Sequence, residues 1–221
     1  MLYIVSTPIG NLKDITLRAL ETLKSVDLIA AEDTRHTKIL LDHYEISKPI
    51  TSFFEHNQLK KADYLLGLLR AGKTIALVTD AGTPGISDPG FVMVKLAQEN
   101  HIPITVVPGV TACISALTAS GLPAHRFLFE GFLPPKAGAR RNKLLALKEE
   151  KATIIFYESP HRLLKTLKDM EEVWDDQTIV VARELTKKFE EIRKDKASAL
   201  IEYFSEHPPK GEFVLLRCLE I

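Results

Sequence analysis

The chain has 221 residues, 29 Lys+Arg against 29 Asp+Glu for a formal net charge of zero, and 45% hydrophobic residues. That composition excludes a disordered or collagen-like chain. The charge balance excludes nucleic-acid binding through bulk positive charge and leaves only a local basic patch as the route. Two cysteines, Cys113 and Cys218, are too few for a disulfide scaffold or a Cys-rich zinc site. The first residues, MLYIVSTPIG, have no basic n-region or long apolar stretch, so no signal peptide is expected. No apolar run approaches the span of a bilayer, so no membrane association is expected and a cytoplasmic protein is the default.

Segments 2–7, 26–31, 74–79 and 104–107 are short β-branched runs, apolar on both faces, and predict strands of a buried parallel sheet. Between the first two, Ile15, Leu17, Leu20 and Leu23 recur at helical spacing over 14–24, with Asp14 as the expected N-cap. A second helix is expected over about 57–71 from Leu59, Ala62, Leu65, Leu66 and Leu69, stopped by Gly72. The rhythm resumes with strands at 126–132, 152–158, 178–184 and 211–218, and helices near 139–149, 160–172 and 195–206. Gly, Pro and polar residues cluster at 120–125, which predicts two α/β domains, 1–120 and 121–221.

GLLRAGKT, Gly67 to Thr74, matches the nucleotide P-loop pattern letter for letter. A P-loop follows a strand and opens a helix, so that backbone N–H groups face phosphates. Here a leucine-rich helix precedes Lys73 and a strand follows it. The segment therefore reads as a helix C-terminus with Gly72 at C′, and no ATPase or GTPase is expected.

Three turns after strands of the first domain are rich in Gly and Pro: 6–11, 79–90 and 108–112. In an open parallel sheet, ligands bind beyond the carboxyl ends of the strands, where these turns should converge. The second runs to twelve residues, against about 2–6 for an ordinary βα connection. Asp80 begins it as a polar anchor. No G-x-G-x-x-G follows the first strand, so a dinucleotide cofactor is not indicated.

Segments 2–37, TDAGTPGISDPG (79–90), VPGVTA (107–112), FEGFLP (129–134), FYESPHRL (156–163) and VARELTKKFE (181–190) closely resemble the tetrapyrrole (corrin/porphyrin) methylase family. Within it, AEDTRHT, DAGTP and FYESPHR are most similar to the branch that methylates a cytidine ribose 2′-OH in 16S ribosomal RNA. The resemblance spans about residues 2–217. It implies two α/β domains with an inter-domain cofactor cleft, a homodimer, S-adenosylmethionine as cofactor, and the small ribosomal subunit as partner. Carried over by position, cofactor contacts fall on Ile9, Asp80, Gly82, Thr83, Gly85, Ile86, Thr111 and Ala112. From the second domain they fall on Tyr157, Ala182 and Glu212. Typical members of the family continue into a small helical region after the last strand, whereas this sequence stops at Ile221.

The same resemblance gives roles to charged residues that alone read as ordinary caps or solvated faces. Asp33 and Arg35 follow the second strand, where a helix-capping role competes with a functional one. Lys136, Arg140, Arg141 and Lys143 form a basic run that reads as a solvated helix start by itself. Beside an RNA-methylase resemblance they become phosphate contacts together with Arg35 and Arg162. Glu158 is the first choice of proton acceptor and Asp33 the second, with Arg183 orienting carboxylate or phosphate. His36, His43 and His56 lack metal-ligand spacing, and methyl transfer from a sulfonium needs no metal. Direct in-line displacement is expected, since neither cysteine has a base beside it. A methylase of a small tetrapyrrole and a non-catalytic ribosome-assembly protein remain the alternatives.

Overall fold

The computed structural model describes residues 1–54, 56, 58–88 and 90–219, with the backbone alone at 58 and 59. The expected helix start near residue 57 and the Leu59 side chain lie outside the described residues, as does Pro89 of the long turn. The chain divides into two compact units, Met1–Thr111 and Ala112–Ile221.

The first unit holds five parallel strands: β1 (Leu2–Val5), β2 (Leu28–Ala31), β3 (Ile50–Ser52), β4 (Ile75–Val78) and β5 (Ile104–Val107), in the order β3-β2-β4-β1-β5. Its helices are α1 (Leu17–Ser25), α2 (Thr34–His43), α3 (Gln58–Arg70) and α4 (Gly90–Glu99). The pleat sends alternate residues to opposite faces. Ile75 and Leu77 pack with Leu65, Leu69 and Met93, whereas Ala76 and Val78 pack with Leu23 and Leu41. Both faces are covered, which is why β4 is buried throughout.

The first helix starts later than expected. Asp14 ends a short 3-10 turn, Leu12–Asp14, and Thr16 caps α1 by accepting from the Ala19 N–H at 3.1 Å. β3 was not legible, because its three residues are only half-buried at the sheet edge.

The second unit does not continue the parallel rhythm. Its strands are β6 (Phe127–Phe132), β7 (Thr153–Glu158), β8 (Thr178–Arg183), β9 (Glu191–Lys196) and β10 (Phe213–Arg217), ordered β6-β7-β10-β8-β9. Only β6 and β7 run parallel; the last strand inserts antiparallel between β7 and β8. Helices α5 (Ala112–Ala119), α6 (Ala137–Ala146), α7 (Leu163–Trp174) and α8 (Ala197–Glu206) complete it. Phe156, Leu167, Trp174, Phe204 and Phe213 form the centre of its core. The mixed-sign segment 183–196, which reads as a solvated edge, contains the edge strand β9. Charges there fit an edge strand, since they oppose pairing with another chain. Among the described residues no helix is long and apolar enough to cross a membrane.

Candidate functional site

The strand order of the first unit creates a switch point. From β1 the chain crosses to β2 on one side of the sheet, and from β4 it crosses to β5 on the other. Adjacent strands whose connections diverge leave a crevice at their carboxyl ends. The three Gly/Pro-rich turns meet there. Thr7 and Gly82 exchange backbone hydrogen bonds of 2.8 and 3.1 Å, and the Thr7 hydroxyl donates to the Thr79 carbonyl at 3.0 Å. A chain of hydroxyls links all three: Ser6 Oγ to Thr83 Oγ1 and Thr83 Oγ1 to Thr111 Oγ1, each 2.8 Å. Ile9 is buried against Gly82.

Gly109 has a steric reason. A Cβ there would stand 2.8 Å from the Ser6 Cβ, closer than carbon atoms approach. Gly90 has another: its Cβ would meet the Gly85 nitrogen at 2.7 Å. In the same turn the Asp88 carboxylate accepts from the Gly85 and Gly90 N–H groups at 2.7–2.9 Å. The long turn is therefore held internally, with Gly85 and Ile86 at its outer bend.

Asp80 stands where the second turn begins. Its Oδ1 accepts the Asp33 N–H at 3.0 Å, tying the ends of β4 and β2 together. Burial raises its carboxyl above the ordinary range, opposed by that hydrogen bond and reinforced by nearby Glu32. Glu32 accepts from the Thr79 hydroxyl at 2.6 Å. Asp33 is the N-cap of α2 and grips Arg35, whose Nη2 lies 2.7 Å from Oδ2. The Arg35 side chain and backbone hold the Asp33 carboxyl down at about 2, making it a weak base. Asp80, Gly82, Thr83, Gly85, Ile86, Thr111 and Ile9 thus belong to one loop cluster, with Asp33 and Arg35 joined to it through Asp80.

The P-loop-like letters serve a different end. The Gly72 and Lys73 N–H groups return to the Leu69 and Leu68 carbonyls at 3.1 Å each, closing α3. Lys73 pairs with Asp27 at 3.1 Å, and Asp27 also accepts from the Thr74 N–H and hydroxyl. Lys73→Ala is expected to leave S-adenosylmethionine affinity unchanged in calorimetry, and the unaltered chain to show no ATP hydrolysis above background.

In the second unit, pairing register decides which expected residues share a face. Tyr157, Val214 and Ala182 stand opposite one another across β7, β10 and β8. Directly opposed residues point to the same face. Ala112, the remaining expected cofactor contact, opens α5 one residue before Cys113, whose N–H donates to the Tyr157 hydroxyl at 3.2 Å. Burial raises the Tyr157 phenol well above its usual range. Glu212 lies beside this row, exposed, and pairs with Lys187 at 2.9 Å.

Glu158 and Arg183 occupy the next row, opposite Phe213, and the pleat turns them to the other face. The expected proton acceptor Glu158 is therefore on the face away from Tyr157 and Ala182. It is 3% exposed, and its oxygens accept the Ser159 N–H at 2.8 Å and the Thr166 hydroxyl at 2.6 Å. With both oxygens engaged under α7 it holds a helix start and has no open face to receive a proton. Glu158→Gln is expected to cost about 1–3 kcal/mol of stability, the range for disturbing a buried polar pair, while the pH profile of turnover keeps its shape. Arg183 Nη1 lies 3.6 Å from Glu191, and its Nε is buried with no hydrogen-bond partner among the described residues.

Most of the basic run is paired within the second unit. Arg140 is 4% exposed and grips Asp169 Oδ2 through Nε and Nη2, both 2.6 Å. A guanidinium so buried and paired is part of the core of this unit. Arg162 donates to the Leu133 carbonyl at 2.6 Å and the Pro134 carbonyl at 3.3 Å, and is likewise a structural clamp. Arg141 is shared between Asp169 and Glu172, and Lys143 pairs with Glu130 at 2.6 Å. Lys136 is exposed, and its side chain makes no capping hydrogen bond. Ser6 was missed as a site residue; its only signal was a hydroxyl at the start of the first turn. Among the described residues no three His, Cys, Asp or Glu side chains are grouped to hold a metal.

The model of the family described as Tetrapyrrole (Corrin/Porphyrin) Methylases matches residues 1–201. The chain is 53% identical to "Ribosomal RNA small subunit methyltransferase I" of Haemophilus influenzae, over 98% of this chain and 77% of that protein. It is 48% identical to the protein of that name from Thermotoga maritima, over 97% of this chain and 96% of the relative. Among solved structures it resembles a diphthine synthase with a TM-score of 0.75 at 15% identity, covering 98% of this chain and 89% of that one. It also resembles the methyltransferase CobJ at 0.73 and 16%, covering 99% and 94%. At such identities these two establish the shared fold alone.

Proposed function

The chain belongs to the tetrapyrrole (corrin/porphyrin) methylase family, and from that premise we propose that it methylates 16S ribosomal RNA of the small subunit at a cytidine ribose 2′-hydroxyl. S-adenosylmethionine is the family's methyl donor and, when bound, supplies a methyl group already activated on a sulfonium. The observation carrying this reading is the loop cluster at the switch point, where the Ser6–Thr83–Thr111 hydroxyl chain joins three turns and Asp80, at the start of the second, ties β4 to β2. The residues fit such a cofactor. Among the described residues the Asp80 Oδ2 makes no hydrogen bond and suits a hydroxyl or amine donor, while Gly82 and Gly85 let a ligand approach the backbone.

Alignment carries most of the catalysis in this reading, because a positioned hydroxyl meeting the methyl in line avoids a large entropic cost. Asp33 is the remaining carboxylate expectation, ionised but weakly basic beside Arg35. A strong dedicated base is therefore not required of it. Arg183, held 3.6 Å from Glu191 through Nη1, is the cation that would orient a carboxylate or phosphate. Lys136 and Arg35 are the exposed cations retained for RNA.

The test is calorimetry with S-adenosylmethionine in metal-free buffer, then mass spectrometry of nucleosides from small subunits incubated with the enzyme. A ribose-methylated cytidine is expected. Methyl transfer to a porphyrinogen but not to RNA would favour the small-tetrapyrrole alternative, and a methylated base would refute the ribose assignment. Sedimentation tests the homodimer that belongs to the same proposal.

A further inference from the structure

We propose that segment 132–136 of the second unit is a nucleotide platform, with the Phe132 ring stacking on an unpaired RNA base and Lys136 meeting the adjoining phosphate. It rests on the RNA-methylase reading and deepens it by naming where the strand is held.

Phe132 ends β6 and is 55% exposed. Its ring stands against Tyr157 with centroids 5.7 Å apart at 65°, an edge-to-face contact that fixes its orientation. Tyr157 is fixed in turn by Phe129, centroids 4.9 Å apart, and by the Cys113 N–H. An exposed ring set against Tyr157, which is itself held by Phe129 and the Cys113 N–H, is a rigid stacking surface. Stacking on aromatic faces is how proteins hold unpaired bases, since every base offers a π-face.

The segment behind it is held more firmly than an exposed turn needs. Arg162 donates to the Leu133 and Pro134 carbonyls, and Arg140 donates to the Pro135 carbonyl at 3.2 Å. Each guanidinium is anchored by a buried carboxylate: Arg162 by Glu158 at 3.5 Å and Arg140 by Asp169 at 2.6 Å. Buried ion pairs add little net stability because desolvation offsets their attraction. Two of them on three successive carbonyls instead fix geometry, and Pro134-Pro135 removes further backbone freedom. A surface ordered in advance loses less entropy when a flexible strand binds.

The charge pattern points to RNA as the occupant. In the run 136–143, Arg140, Arg141 and Lys143 are all paired with acids of the same unit. The Lys136 side chain at the end of the clamped segment has no ion pair or hydrogen bond among the described residues. A free cation four residues from an exposed ring offers one phosphate contact and one stacking face, the recurring pair of single-strand recognition.

The experiment uses fluorescence anisotropy with a short oligocytidylate RNA, methyl transfer to purified small subunits, calorimetry with S-adenosylmethionine, and sedimentation. Phe132→Ala should weaken oligocytidylate binding by about 5- to 150-fold, the measured worth of one stacked base, with cofactor affinity unchanged. Phe132→Trp should restore it. Lys136→Gln should flatten the slope of log K against log salt by about 0.7, one single-strand phosphate contact. If the unaltered chain methylates small subunits and Phe132→Ala matches it in kcat/KM and RNA affinity, the platform is overturned while the methylase reading stands. If there is no methyl transfer but Phe132→Ala still weakens RNA binding, the platform stands and the methylase reading falls. A change of oligomeric state in Phe132→Ala assigns the ring to contact between copies, and an unaltered chain that binds no RNA also overturns the platform.

Discussion

Replacing Asp80 by alanine is expected to weaken S-adenosylmethionine binding by about ten- to a hundredfold, the loss of one charge-assisted hydrogen bond of about 1.5–3 kcal/mol. Calorimetry reads this directly. Asp80→Asn separates two contributions, because an amide oxygen can still accept the Asp33 N–H and keep β2 and β4 joined. The asparagine variant should therefore fold like the parent yet bind the cofactor more weakly. Burial raises the Asp80 carboxyl, so affinity should fall on acidification at a pH above the ordinary aspartate value near 3.9. Its stability effect has the opposite sense. A raised carboxyl favours the folded state when protonated, and that contribution is lost as pH rises from the unfolded value through the folded one. Asp80→Asn should abolish both dependences; unchanged affinity in both variants would remove Asp80 from the site.

The second large effect is on stability. Asp169→Ala strips the buried Arg140 guanidinium of its carboxylate, leaving it the Pro135 carbonyl at 3.2 Å. Breaking a buried pair by removing one partner costs about 3–5 kcal/mol. For a chain of this size that lowers Tm by roughly 6–20 °C. Arg140→Ala should fall near the lower end, because Asp169 retains Arg141 at 2.7 Å. Arg141→Ala itself removes a half-exposed partner and should cost no more than about 1 kcal/mol. Thermal unfolding of the three variants tests the ordering. If Asp169→Ala costs under about 1 kcal/mol, Arg140 is not a core residue, and its reading as a phosphate contact returns.

These two residues show where sequence stops informing. Asp80 stands out in the sequence because a carboxylate at a strand end before a long Gly/Pro turn has few structural uses. The burial of Arg140 does not, since a basic run looks the same whether its members reach solvent or turn inward. Its burial follows from Asp169, 29 residues away on a different helix.

The sequence by itself determined the βα alternation of the first unit, the Gly/Pro-rich turns beyond its strands, the inverted context of Gly67 to Thr74, and the family. These are local signals, carried by periodicity, glycine and proline within a few residues of one another. The tertiary structure alone decided the strand order that makes β1 and β4 a switch point, and the insertion of β10 between β7 and β8. It also decided which strand-end residues share a face. Tyr157 and Glu158 are neighbours in sequence, yet the two-residue period of a strand sends one to the α5 side and the other beneath α7. The register that sets this parity is a pairing between distant segments, and no single segment of the chain contains it.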